Sequence, residues 1–205
     1  MTDHLVSVVS RMGLLARVLS ICLVCSGCGE RDRPAQRGDS PHADVGESLA
    51  RDEKDDVALD DFEGTAGIVD KERPEASIAV LREVRAARHS RFDRVVFEFE
   101  GTDLPGYRLE YVDRPVRQCG SGDVVSVAGD SWLEVRFIPS QAHTDAGEPT
   151  VKERERHLDL PVLKEIERTC DFEAHVTWVL GLASPNRYRV VELDEPARLV
   201  VDVKH

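Results

Sequence analysis

The 205 residues carry 39 acidic and 27 basic side chains, a net charge of −12, and 41% of them are hydrophobic. A chain this acidic is repelled by nucleic acid and by anionic lipid surfaces, so neither is an expected partner. The length allows one domain with a real core once unfolded termini are set aside, and argues against two.

At the N-terminus Arg11 and Arg17 flank an apolar run from Val18 to Val24 that has the length of an export signal. It falls well short of the roughly 20 apolar residues a membrane-spanning helix needs. So little apolar sequence follows Arg17 that Met12 competes with Met1 as the start of translation. The run closes in Leu23-Val24-Cys25-Ser26-Gly27-Cys28, a thiol placed directly after two small residues. That is the uncrowded, extended backbone a signal peptidase and an acyl-transferring enzyme require. The stretch resembles the lipobox of bacterial lipoproteins, although Cys25 stands where that motif usually has leucine. The resemblance implies that residues 1–27 are removed as a signal peptide and that Cys28 carries a palmitate-type lipid. The rest would then be held at the extracytoplasmic face of the cell membrane. A plain secretory signal is the competing reading. An iron–sulfur site at Cys22, Cys25 and Cys28 is not expected, because the fourth cysteine followed by proline is missing.

Residues 28–75 are expected to form a disordered acidic tether. Between residues 29 and 75 lie 15 acidic and 7 basic side chains, with Pro34, Pro41 and Pro74 scattered among them and no apolar period. The run Asp52-Glu53-Lys54-Asp55-Asp56 lacks the central glycine and terminal glutamate of a calcium loop, and reads as a solvated charge run. As a flexible coil such a tether would span roughly 40 Å, enough to reach from a membrane into a cell wall.

Residues 76–205 are expected to form an all-β domain, an antiparallel β-sandwich. Val95, Phe97 and Phe99 alternate with Arg94, Glu98 and Glu100. The same period recurs at Tyr107, Leu109 and Tyr111, at Leu133, Val135 and Phe137, at Val176, Trp178 and Leu180, and at Leu199, Val201 and Val203. Each run has one dry and one wet face, as sheets packed over a shared core require. Turn residues separate them, among them Leu104-Pro105-Gly106, Ala128-Gly129-Asp130 and Ser184-Pro185-Asn186. Two stretches are ambiguous. Ile78 to Arg88 has helical spacing but is assigned to a strand, and Pro161 to Arg168 could make one or two helical turns. Gln141 to Leu160 reads as a long, mobile polar loop.

A quasi-repeat relates Arg94-Val-Val-Phe-Glu98-Phe to Arg198-Leu-Val-Val-Asp202-Val. If these strands are antiparallel neighbours, Arg94 opposes Asp202 and Glu98 opposes Arg198, as exposed pairs that set register more than strength. They could also lie in separate sheets. Cys119 and Cys170 are the two cysteines outside the signal, and in an exported domain they are expected to pair. Two buried thiols in an unexported protein is the alternative.

These runs resemble one family in particular. Arg91-Phe-Asp-Arg-Val-Val-Phe-Glu-Phe-Glu-Gly101, Pro105-Gly-Tyr-Arg-Leu-Glu-Tyr-Val112, Asp171-Phe-Glu173 with Thr177-Trp178 and Gly181, and Leu193-Asp-Glu-Pro-Ala-Arg-Leu-Val-Val-Asp-Val203 are similar to the AMIN-like domain of actinobacterial lipoproteins. That family is related to the AMIN domains of cell-wall amidases and secretins. The resemblance covers about residue 77 to the C-terminus. It implies a β-sandwich and a non-catalytic module that attaches to peptidoglycan or another envelope polymer. A protein–protein adaptor without glycan affinity is the alternative.

Catalytic constellations are weak. His143, Asp145, His157 and Asp159 share one polar loop but lack tight metal-ligand spacing, so no metal or cofactor is expected. Glu98 and Glu100 leave a strand side by side and read as solvated carboxylates, not as a glycosidase pair. No G-x-S-x-G occurs, and the chain is not expected to be an enzyme. For binding, Trp132 lies on the polar-side register of its strand, where an exposed aromatic would suit a sugar ring. Arg108 and Arg136, with Arg114 and Arg117, could meet peptidoglycan carboxylates. The other reading of Trp132 is core or edge packing.

Overall fold

Alternating apolar residues do form strands throughout the computed structural model, which describes residues 63–205. The expected signal, Cys28 and the part of the expected tether through residue 62 lie outside the described residues. Six strands build one sheet: β1 (Val69–Lys71), β4 (Gly106–Val112), β7 (Ser131–Ile138), β9 (Glu155–His157), β10 (Leu163–Phe172) and β11 (His175–Leu182). Five build the second: β2 (Ala79–Arg88), β3 (Phe92–Phe99), β8 (Ser140–Gln141), β12 (Tyr188–Asp194) and β13 (Ala197–Lys204). A small ribbon, β5 (Val116–Arg117) with β6 (Val124–Val125), completes the set, and no helix occurs among the described residues. The sheet orders are β1-β4-β7-β11-β10-β9 and β12-β13-β3-β2-β8, antiparallel except for the short β2–β8 pairing.

The dry faces of the two sheets meet as period two requires. Phe97 and Phe99 from one sheet contact Phe137 of the other edge-on at 5.0 and 5.1 Å between centroids, and Trp178 lies 6.3 Å from Phe97. All four rings are fully buried. A phenylalanine taken wholly out of water contributes about 1.5–3 kcal/mol, so this aromatic seam is a large part of what holds the sheets together.

Both stretches with helical spacing are strands, and for one reason. β10 carries a register shift between Leu163 and Glu165, and β2 carries one between Leu81 and Glu83. A bulge inserts one residue and moves the next inward position from i+2 to i+3. Leu163 with Ile166, and Leu81 with Val84, therefore all face the core at a spacing that reads as helical.

The pairing suggested by the quasi-repeat is present: β3 and β13 are antiparallel neighbours, with Arg94 opposite Asp202 and Glu98 opposite Arg198. The expectation that both pairs are exposed is corrected for the first. Asp202 is fully buried and Arg94 nearly so. Asp202 accepts from Arg94 Nε at 2.7 Å and Nη2 at 3.1 Å, and from Arg189 Nε at 2.8 Å. Arg189 comes from β12, on the other side of β13, so one carboxylate clamps three strands.

Two other boundaries differ from the sequence reading. The stretch expected to be tether is ordered before Glu75: Thr65 and Tyr188 exchange two backbone hydrogen bonds of 2.7 Å, and β1 pairs with β4. This segment has little apolar surface, and its place comes from backbone pairing and ion pairs, which leave no hydrophobic period. Nor is Gln141 to Leu160 a free loop. Ala142 and Val151 are buried, β8 extends one sheet and β9 the other, and Arg156 donates to the Val84 carbonyl at 2.8 Å. The segment is an arm that closes the open side between β2 and β10.

Candidate functional site

Because the ladders set residues directly opposite each other, side chains on the outer face of the six-stranded sheet fall in rows. One row runs Asp70, Arg108, Arg136, Thr177, Cys170. The next runs Glu110, Glu134, Val179, Glu167, Glu155, and the third Val112, Trp132, Gly181, Glu165, His157.

Half of this face is covered. After β4 the chain crosses back over the sheet, from about residue 113 to 130, carrying the β5–β6 ribbon. Val116, Val127 and Val179 form a second small core beneath it, with Val125 and Trp132 packed alongside. Gly181 permits the crossing: a Cβ there would come 1.9 Å from the Ala128 carbonyl oxygen. Glu165 Oε2 accepts the Ala128 N–H at 2.6 Å, and the Cys119–Cys170 disulfide ties the crossing segment to β10. The paired cysteines read from the sequence are thus present.

Trp132 is therefore covered and not open. Its indole N–H donates to the Val127 carbonyl at 3.1 Å, and Arg114 lies over its ring at 4.1 Å. It faces away from the main core, as its register implied, yet the crossing segment packs on it.

The uncovered half holds two adjoining hollows that share Arg136 and Ile138. The first, of about 440 Å³, is walled by Lys71, Arg73, Pro74, Tyr107, Arg108 and Pro139. The second, of about 340 Å³, is walled by Arg117, the disulfide, Phe172, His175 and Thr177. Phe172 is 61% exposed and Ile138 40%, a large apolar outlay for a surface. Phe172 immediately precedes the two-residue turn Glu173-Ala174, where both residues have positive φ, 49° and 59°. Side chains other than glycine, asparagine and aspartate adopt that region at a cost, and such strain gathers at functional sites.

The arginines here are pre-oriented. Arg108 and Arg136, directly opposite each other, would repel, but each is neutralised by a carboxylate. Arg108 grips Glu110 through two hydrogen bonds of 2.9 Å and Asp70 through one of 2.6 Å. Arg136 Nη2 donates to Glu134 at 2.5 Å, and 39% of its side chain stays in solvent where the two hollows meet. The hydrogen bond from Arg108 holds the Glu110 carboxyl below its usual range. Arg73 is fixed by Glu192, which also binds Lys71 at 2.9 Å. Burial pushes Glu192 upward, but the bonds from Lys71, Tyr107 and Arg73 outweigh it and leave the carboxyl lowered.

The structure brings Arg108 and Arg136 together, as the sequence reading grouped them, and leaves Trp132 out. Phe172 is the exposed aromatic that the reading missed. Apart from its place in the family-like run 171–173, its signal was an apolar residue at a strand end, next to a turn without glycine. The loop cluster is not assembled: His143 lies against Asp171 at 3.0 Å, while His157 sits between Glu155 and Glu165 at the β9–β10 edge. Burial, then the charges of Glu155 and Glu165, push the neighbouring Glu167 up to about 7. Glu98 and Glu100 pair with Arg85 and Arg82 on the far sheet, outside both hollows.

The AMIN-like domain family model matches residues 79–205. No curated protein and no solved structure matches the chain.

Proposed function

The chain belongs to the AMIN-like domain family, and on that premise we propose that it is a non-catalytic cell-envelope binding module, tethered to the membrane through acylated Cys28. The observation that supports this reading best is the double hollow across β4, β7, β11 and β10. It joins an arginine row to two exposed apolar side chains, Ile138 and Phe172. An extended glycan that carries peptide carboxylates needs both elements. The apolar face of a sugar ring packs on an aromatic, and a guanidinium fork takes a carboxylate in bidentate fashion. A single binding pocket suits a small ligand; two hollows end to end suit a polymer.

The full chain, purified in detergent, is expected to sediment with purified cell wall and to lose that association when the glycan is digested first. Phe172→Ala should weaken binding about tenfold, or ~1.4 kcal/mol, an ordinary loss for a contact residue at an interface centre. Being mostly exposed, Phe172 should leave the melting temperature almost unmoved. Retention that survives glycan digestion would favour a protein–protein adaptor instead.

Anchoring is tested separately. Labelled palmitate is expected to enter the protein, and Cys28→Ala to release it from the membrane fraction. No label in the wild type, with Cys28→Ala still sedimenting with membranes, would defeat the lipoprotein reading.

A further inference from the structure

We propose that the outer side of the β9–β10 edge is a binding site for one divalent cation of the zinc class, with Glu155, His157 and Glu165 as its ligands. The ladder places His157 opposite Glu165 and Glu155 opposite Glu167, so all four side chains leave the same face. One donor atom each from Glu155, His157 and Glu165 lies within 4.8 Å of the others. His157 Nδ1 is 3.3 Å from Glu165 Oε2, and its Nε2 is 3.3 Å from Glu155 Oε1. The two contacts use different ring nitrogens, of which one ion takes only one. Tetrahedral zinc, with bonds of about 2.0–2.2 Å, sets its ligand atoms roughly 3.4 Å apart, so the exposed side chains of Glu155 and His157 would turn slightly to close on it.

Proximity of acids would not suffice, since exposed carboxylates often cluster. The second observation is Glu165 itself. Its side chain is fully buried, Oε2 is occupied by the Ala128 amide, and Oε1 has no hydrogen-bond partner. A buried carboxylate oxygen without a donor is costly, and it is normally matched by a cation or a metal. Among the described residues no lysine or arginine forms an ion pair with Glu165. On this face three carboxylates, Glu155, Glu165 and Glu167, stand against one imidazole and the nearby charge of Arg154. A mixed imidazole and carboxylate set, with few ligands, favours zinc-like ions over calcium, which takes six to eight oxygens. The site opens outward, since His157 is 70% and Glu155 53% exposed, so water can complete the coordination. The Ala128 N–H would orient the buried ligand in the way that partners behind a metal ligand commonly do.

The test is calorimetric titration of the tag-free, chelator-treated full chain with zinc chloride and, in parallel, calcium chloride. One zinc ion per chain is expected, with no heat from calcium. His157→Ala and Glu165→Gln should each lower zinc affinity at least tenfold. Thermal melts accompany each variant, and if Glu165→Gln fails to fold, His157→Ala and Glu155→Gln, both altered at exposed side chains, decide the matter. Absence of zinc binding by the wild type would mean that His157 only bridges the two carboxylates. That result, or zinc binding unchanged by His157→Ala, overturns the proposal.

Discussion

Asp202→Ala is expected to destabilise the domain by about 3–5 kcal/mol, the range seen when one member of a buried ion pair is removed. The physical reason is the charge left behind. Asp202 is fully buried and receives hydrogen bonds from Arg94 and Arg189, whose side chains are 8% and 14% exposed. Both guanidiniums also lie over the Phe92 ring, at 5.2 and 5.3 Å, so neither can swing freely into water. Against a total stability of about 5–15 kcal/mol for an ordinary domain, that is a large fraction. Urea unfolding should show a lower midpoint with an unchanged slope. In a double-mutant cycle with Arg94→Ala, the combined loss should be smaller than the sum of the single losses, because the two side chains share one interaction. A loss below about 1 kcal/mol for Asp202→Ala would mean that the pair sets strand register and little else.

Loss of the Cys119–Cys170 disulfide should cost a comparable amount, by a different route. The bond closes a loop with a sequence separation of 51. In the chain-entropy model, a loop of that size removes about 4 kcal/mol of conformational freedom from the unfolded chain. The folded state is affected too, because the bond pins the segment that crosses the sheet. What otherwise holds that segment is the small valine core, the Glu165–Ala128 hydrogen bond and a few backbone bonds. Cys119→Ser with Cys170→Ser should therefore lower the melting temperature markedly. Within the folded domain, limited proteolysis should then cut first between residues 113 and 130. Since the disulfide also walls the second hollow, cell-wall retention should fall in the same variant. Equal melting temperatures with and without the bond would show that the crossing segment is held by packing alone.

The two effects illustrate how the faces of the sandwich are used. The inner faces are dry and carry the aromatic seam. The outer face of the five-stranded sheet is stitched by ion pairs, with Arg94, Arg189 and Asp202 at its buried centre. The outer face of the six-stranded sheet is divided: one half is roofed by the crossing segment, and the other is left open as the double hollow.

How much of this could be read in advance follows from what each signal measures. Alternation along a strand reports which side of the backbone meets the core, and this was enough for β3, β4, β7, β11 and β13, for their inward residues and for the all-β class. Matching charges at matching phase in Arg94–Glu98 and Arg198–Asp202 gave the register of β3 against β13 only on the condition that the two strands are neighbours, and the fold supplied that condition. Two cysteines outside the expected signal carried the disulfide. All these signals depend on a residue's own phase or on its chemistry. The tertiary structure alone decided which outward residues stay open to solvent. Trp132 and Phe172 both leave the main core, but a segment returning over Gly181 covers the first and leaves the second bare. Likewise Glu155 and His157 meet Glu165 only because β9 pairs with β10. Outward phase says that a side chain is free of the core. Whether another part of the chain then packs on it depends on long-range closure, which leaves no period in the sequence.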